Sequence, residues 1–467
     1  MFGLEPTLAI FLVACLLLAC FFEFINGFHD TANAVATVIY TNSLKPTVAV
    51  VYSGLLNFIG VTLGGITVAM GIVNLLPMDV LVDANTYHSI AMILALLISA
   101  IVWNFGTWYL GIPSSSSHTI IGSILGIGIA FYFLPGDYGF SAVNWDKAAD
   151  TGLALLLSPL LGFSVAIVVM FIFKRLIENE TIYKEPIPGK IPPLWVRIML
   201  WITCGLVSFF HGQNDGQKGV GLMMMILISI LPGQFSLDNS IDLQKTNVGI
   251  TKISSLISKA DTSVLAAKEK KMYSDVVYHS GHFVTESVGK SSSDQVDMKG
   301  RFSLRKDVIK ITKGCDKLIS GGNLTLSSNE IKELKHEIKS AKKLIEFAPS
   351  WVVILISFCL GLGTMVGWKR IVKTVGEKIG KQHMSYAQGA SAELVASIGI
   401  GLASWKGFPV STTHMLSSGV AGSMVAKKGL KNLQKGTIKT IVLTWLFTLP
   451  ATIILSGSLF LLFRAIL

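Results

Sequence analysis

Asp30 and Asp215 lie deep in apolar stretches of this chain, each within a short polar interruption of the same kind. The first reads Asn26-Gly-Phe-His-Asp30-Thr-Ala-Asn33, the second His211-Gly-Gln-Asn-Asp215-Gly-Gln-Lys218. Downstream of each come a proline, a run of hydroxyls and a histidine: Pro113-Ser-Ser-Ser-Ser117-His118, then Pro409-Val-Ser-Thr-Thr413-His414. A carboxylate in an apolar interior must pair with a cation, bind a metal ion or take up a proton. Each option is useful to a protein that moves ions. Glu23 precedes Asp30 in the same apolar run, and His29, His211 and Lys218 add groups whose charge burial can tune. An Asp–Lys218 ion pair that only closes a helix bundle is the plain alternative.

The hydroxyl runs suit an anion. Proline loses nothing at the first turn of a helix, so Pro113 and Pro409 are expected to open helices whose first turns carry Ser114 to Ser117 and Ser411 to Thr413. The first N–H groups of a helix are unpaired, and the helix dipole adds partial positive charge there. Hydroxyls beside them form a cradle for a compact anion with several oxygens, phosphate or sulfate. Ordinary N-capping with close packing at Gly122, Gly126, Gly419 and Gly422 is the competing explanation. His118 and His414 are expected to be local hydrogen-bond partners of the helix starts, not ligands.

The elements that hold these groups must be membrane helices. Apolar residues make up 51% of the chain and charged ones 14%, and the mean hydropathy is +0.60, outside the range of ordinary soluble domains. Ionisable residues inside such segments are functional by default. The net charge of +11 sits in short loops and one polar insert, so it reports topology and not nucleic-acid binding. The five cysteines show neither metal spacing nor a disulfide framework. The N-terminal apolar run lacks a basic region and a cleavage site, and reads as a retained span.

Spans of about 20 residues are read at 7–41, 46–76, 88–110, 113–134 and 151–173, then at 195–232, 349–368, 388–405, 409–426 and 438–463. Five per half makes the two repeats antiparallel, the inverted arrangement. The 7–41 and 195–232 segments exceed one span and are expected to form two half-helices or a re-entrant pair each, for a total of 10–12. Loops 77–87 and 135–150 are acidic and read as external, whereas 174–197, 369–381 and 427–439 are basic and read as cytoplasmic. The organisation is a first repeat at 1–174, a cytoplasmic linker at 175–194, and the start of a second repeat at 195–232. A polar insert follows at 233–348, then the rest of that repeat at 349–467. The insert is expected to be a tethered regulatory or partly disordered segment with one amphipathic helix at 331–345. Glu393 is intramembrane, has no counterpart in the first half and reads as structural.

These motifs resemble the PiT inorganic phosphate transporter family, whose signature is Gly-Ala-Asn-Asp-x-x-Asn-Ala in each half with a Pro-x-Ser-[Ser/Thr]-[Ser/Thr]-His element downstream. Here Gly27-Phe-His-Asp30-Thr-Ala-Asn33-Ala34 and Gly212-Gln-Asn-Asp215-Gly-Gln-Lys218-Gly219 stand in those places. Asn26-Gly-Phe-His-Asp30 and Asn214-Asp-Gly-Gln-Lys218 are closest to the low-affinity bacterial Pit subgroup. The resemblance implies symport of inorganic phosphate in the bacterial cytoplasmic membrane. Asp30, Asp215, His29, Asn214, Glu23 and His211 would serve the coupling ion or proton. Ser115, Ser116, Ser117, Ser411, Thr412, Thr413, Asn33 and Lys218 would hold phosphate. It also implies that phosphate can travel as a neutral complex with a divalent metal such as Mg²⁺, with Asp30 and Asp215 as metal positions.

Two departures bear on coupling. His29 and Lys218 each replace an Asn of the signature, removing two neutral oxygen ligands and adding a titratable ring and a cation. That favours protons over sodium. The expected protein is therefore an all-α integral membrane secondary transporter, with no resident cofactor and no enzymatic activity. It has no P-loop, and its Ser–His pairs lack a nucleophile elbow. A homo-oligomer is compatible with this reading. Sodium coupling, another tetrahedral oxyanion such as sulfate, an anion channel and a Ser–His membrane hydrolase are the rival readings.

Overall fold

The computed structural model describes residues 4–83, 85–134, 142–187 and 189–467. The chain is 80% helical, and the described residues form no strand. By contact it divides into two units: one of residues 1–226 with 348–467, the other of 227–347. Residues 135–141 of the loop expected to be external lie outside the described residues.

The first half of the larger unit contains α1 (Pro6–Tyr40), α2 (Pro46–Leu63), α3 (Thr67–Val73), α4 (Thr86–Tyr109), α5 (Ser116–Ala130) and α6 (Trp145–Leu176). The second contains α7 (Leu194–His211), a π-helical turn (Gly212–Gly216) and α8 (Gln217–Ile230). Four helices of the insert, α9 (Leu243–Ile257), α10 (Ala267–Ser287), α11 (Met298–Gly321) and α12 (Ser328–Lys342), come next in the chain. The half then resumes with α13 (Ser350–Met365), α14 (Lys369–Glu377), α15 (Tyr386–Lys406), α16 (Thr412–Lys428) and α17 (Lys435–Ile466).

Packing partners are exchanged between the halves. Helix α1 lies on α13 and α7 on α2; α5 lies on α17 and α6 on α16. Glycines allow the approach. A Cβ at Gly126 of α5 would strike the backbone carbonyl of Ile453 in α17, and one at Gly422 of α16 would strike that of Phe163 in α6. These two glycines each lie eight residues after the histidine of their hydroxyl run.

Among the described residues seven helices are long and apolar enough to cross a membrane, or eight if α13 and α14, bent by 56°, form one broken span. The protein is a multi-pass membrane protein. Helices α15 and α16 fill the 388–405 and 409–426 intervals as buried helices of 21 and 17 residues. Three expectations change. The 46–76 span is two helices, α2 and α3, separated at residues 64–66. The 7–41 segment does not break: α1 runs through Asn26–Asn33 as one 35-residue helix. In the second half the interruption is the π turn, which inserts an extra residue per turn without separating two half-helices.

The insert is more ordered than its composition suggested. Its four helices enclose a core that includes Ile250, Ile253, Val276, Phe283, Leu304, Val308, Ile311, Leu334 and Ile338. Buried Arg305 donates to the carbonyls of Ser236 (2.7 Å) and Ile345 (3.0 Å), tying both ends of the unit to α11. Burial pushes the Cys315 thiol up to about 12, so it serves as a small apolar core residue.

Candidate functional site

Two matching chain breaks present the hydroxyls. Gly111 and Gly407, at φ +68° and +74°, take the left-handed conformation open to glycine and end the preceding helices. Pro113 and Pro409 follow, but they do not open α5 and α16. They lie two residues ahead of the N-caps, because the extended Ser115 and Ser411, with side chains that take up a first-turn N–H, set the helix starts instead. The caps are Ser115, which accepts from His118 N–H at 3.2 Å, and Ser411, which accepts from His414 N–H at 3.1 Å. The next two residues, Ser116–Ser117 and Thr412–Thr413, turn inward.

There they meet the carboxylates. Ser116 Oγ lies 3.2 Å from Asp30 Oδ2 and 3.4 Å from Asp215 Oδ2, bridging α1 and the π turn. Thr413 Oγ1 donates to Asp30 Oδ1 at 2.7 Å, and Thr412 Oγ1 reaches Asp215 Oδ2 at 3.4 Å. Asn33 Nδ2 donates to Thr413 Oγ1 at 3.0 Å. At the position matching Asn33, Lys218 Nζ contacts Ser117 Oγ (2.5 Å), Asp215 Oδ1 (2.7 Å) and the Val410 carbonyl (3.1 Å). All of these side chains are buried.

The histidines hold the carboxylates from behind. His29 Nδ1 pairs with Asp30 Oδ1 at 3.0 Å and its Nε2 with Thr107 Oγ1 of α4 at 3.3 Å. His211 Nδ1 pairs with Asn57 Oδ1 of α2 at 2.9 Å, which aims Nε2 between Asp215 (3.5 Å) and Asp30 (3.8 Å). Those separations are too long for good hydrogen bonds, and Nε2 is left without a partner. Asp30, His211 and Asp215 offer three ligand atoms within 4.8 Å of one another, a set that could hold a cation. Asn214 has a different task. Its side chain takes the Val410 N–H and donates to Ser404 and to the Phe408 carbonyl, fixing the break before α16.

The other expected site residues stand further out. Ser115 and Ser411 are engaged as caps. Glu23 lies two turns before Asp30 on α1, with Oε1 accepting from Asn26 at 3.3 Å and Oε2 unpartnered against Gly219. His118 does bond locally, its Nδ1 to Ser115 Oγ at 2.8 Å, while its ring centre lies 4.5 Å from that of His414, which in turn stacks on Trp445. Asn57, Thr107 and the Val410 carbonyl were not singled out from the sequence. Asn57 and Thr107 are polar positions in otherwise apolar helices, and nothing in their spacing ties them to His211 or His29.

The model of the Phosphate transporter family matches residues 26–456. A low-affinity inorganic phosphate transporter of Buchnera aphidicola subsp. Acyrthosiphon pisum is 39% identical, over 98% of this chain and 97% of that protein. The low-affinity inorganic phosphate transporter PitA of Escherichia coli is 38% identical over the same shares. A probable low-affinity inorganic phosphate transporter of Bacillus subtilis is 29% identical over 95% of this chain and 93% of its own. Among solved structures, one described as the sodium-dependent phosphate transporter covers 98% of this chain and 100% of its own. It has a TM-score of 0.55 and 18% identity, a likeness of fold.

Proposed function

The chain belongs to the phosphate transporter family, and from that premise we propose that it imports phosphate in symport with protons across the bacterial cytoplasmic membrane. Ser116, Ser117, Thr412 and Thr413, at the N-termini of α5 and α16, would receive the anion with Asn33 and Lys218. Asp30 and Asp215, with His211 between them, would take the coupling proton or the metal of a neutral metal–phosphate complex such as that of Mg²⁺. Neutralising the anion lowers the cost of stripping its water. The exchanged packing of the two halves supports an inverted repeat working by alternating access, with α1 and the α7–π–α8 element moving against α5 and α16.

The observation that carries proton coupling is the seat of Lys218. Its ammonium lies 2.7 Å from Asp215 Oδ1 and touches a hydroxyl and a carbonyl, a set of oxygens that would otherwise suit a small cation. A built-in cation there leaves Asp30 and His211 to change protonation. Sodium coupling stays as the second reading because Asp30, His211 and Asp215 could still enclose an ion.

Labelled phosphate uptake into proteoliposomes separates the two. Accumulation under a pH gradient alone supports proton coupling, and accumulation only under a sodium gradient overturns it. Each gradient is run with and without Mg²⁺ to test the metal complex. Asp30→Asn and Asp215→Asn are expected to abolish uphill uptake while still reaching the membrane. Normal accumulation by either variant would remove that carboxylate from the coupling site.

A further inference from the structure

Helix α15 carries a buried carboxyl that the central cluster does not use. Glu393 is fully buried; its Oε2 accepts from Thr203 Oγ1 of α7 at 2.5 Å and its Oε1 has no partner. The Thr37 hydroxyl of α1 also bears on it, and Thr37 packs against Gly389 one turn earlier on α15. Of the elements packed against α15, α7 presents Thr203 and the Cys204 thiol and α1 presents Thr37. No charged side chain from α3, α6, α16, the π turn or the short 3-10 turn Glu180–Tyr183, which carries Glu180, acts on the carboxyl among the described residues. An ionised carboxylate with no cation beside it is far costlier in apolar surroundings than the neutral acid.

Its position gives the acid a use. Glu23, Asp30 and Thr37 follow one another at seven-residue intervals on α1. They share one face and span about 21 Å at the helical rise. Glu23 and Glu393, each with one unpartnered oxygen, thus flank the central carboxylates from opposite sides. Glu393 lies seven residues into α15 and Thr203 nine residues into α7. Helix α15 starts just after Lys378 and Lys381, and α7 starts between Lys190 and Arg197, so the carboxyl sits about 10–14 Å inside the basic face where these two helices start.

We infer that Glu393 is the proton-release group on that face, refilled from the Asp30–Asp215 site through the Thr37 hydroxyl. The neutral acid gives its proton to water when the face opens, and the carboxylate left behind takes the next proton from the centre. Water admitted along α1 carries the proton the roughly 10 Å from Asp30 to Thr37; the Thr37 hydroxyl gives its own proton to the carboxylate and takes that one in its place, so it ends unchanged. The path runs along α1, apart from the hydroxyls assigned to phosphate. This inference rests on the proton-coupled reading above.

The test compares wild type, Glu393→Gln and Glu393→Asp in proteoliposomes by two assays. One is accumulation driven by a pH gradient; the other is exchange of labelled for unlabelled phosphate at equal pH, which needs no net proton release. Glu393→Gln is expected to lose at least about tenfold in accumulation and to keep its exchange rate, with Glu393→Asp recovering part of the loss. Wild-type accumulation by Glu393→Gln would overturn the inference alone. Loss of exchange along with accumulation would make Glu393 structural and overturn it as well. Wild type that accumulates phosphate only with sodium would overturn this inference together with the reading beneath it.

Discussion

Thr413 and Asp30 are 383 residues apart in the chain and share a 2.7 Å hydrogen bond, the shortest of those that hydroxyls make to the two central carboxylates. It links the start of α16 to the middle of α1, and Asn33 holds the same hydroxyl from the other side. Thr413→Val removes the hydroxyl at nearly constant volume. Hydrogen bonds to charged groups contribute about 1.5–3 kcal/mol, so the phosphate concentration for half-maximal uptake should rise roughly ten- to a hundredfold. Thr413→Ser should stay near wild type. An unchanged concentration dependence in the Val variant would separate this hydroxyl from the substrate.

The close approach of α5 to α17 makes a sharper stability prediction. Alanine at Gly126 meets the backbone carbonyl of Ile453, which cannot swing aside as a side-chain tip can. Gly126→Ala should destabilise the protein by about 1–3 kcal/mol. Gly106 of α4 is the control: a Cβ there meets nothing within 4 Å, and alanine favours a helix over glycine by up to about 1 kcal/mol. Thermal unfolding in detergent should lower the midpoint for Gly126→Ala and hold or raise it for Gly106→Ala. Equal midpoints would mean that the two helices separate to admit the methyl group.

The residues that gather at the centre were legible because they are polar where nearly everything around them is apolar. Asp30, Asp215, Lys218 and the hydroxyl runs stand out on that ground alone, and most of the long apolar helices were read within a few residues of their ends, although the 46–76 span is divided between α2 and α3 and α6 starts six residues early, at Trp145. The way the backbone carries them was not legible. Continuous α1 and the π turn before α8 follow similar motifs, and which of the two holds is settled by packing against α13 and α2. Nor does sequence say that Ser115 caps α5 while Ser116 reaches the carboxylates, since one residue of helix phase separates the two. The insert was under-read for a different reason. Leu304, Val308, Ile311 and Cys315 keep a helical spacing, but lysine and serine between them hide it, and only contact with Val276 and Phe283 of α10 makes it a core.

Within that insert the start of α12 carries a pH-dependent cap. Glu330 reaches back to Ser327, accepting from its hydroxyl at 2.8 Å and its N–H at 3.0 Å, and also accepts from Lys259 at 3.0 Å. The Ser327 bonds, aided by Lys259, hold the Glu330 carboxyl down at about 2, against an ordinary 4.5. A depressed carboxyl stabilises the folded state above its unfolded value, so the support is complete above pH 4.5 and fades as the pH falls through about 2. Amide exchange in α12 should therefore be slower in wild type than in Glu330→Gln at pH 7, and the gap should close at low pH. Identical protection at neutral pH would show that the ionised form adds nothing.

Lys218 gives the most discriminating substitution. Removing its charge with Lys218→Met leaves Asp215 buried without its cation, and breaking a buried pair in this way costs about 3–5 kcal/mol. Poor folding would therefore cloud the result. Lys218→Asn instead restores the neutral oxygen that the wider family signature has at this place, beside Asp215, Ser117 and the Val410 carbonyl. With the ammonium gone those oxygens face an open position suited to a monovalent cation, which would compensate Asp215 in its place. Phosphate uptake by Lys218→Asn should become stimulated by sodium and lose its response to an imposed pH gradient. Uptake that still follows the pH gradient and ignores sodium would show that Lys218 does not choose the coupling ion.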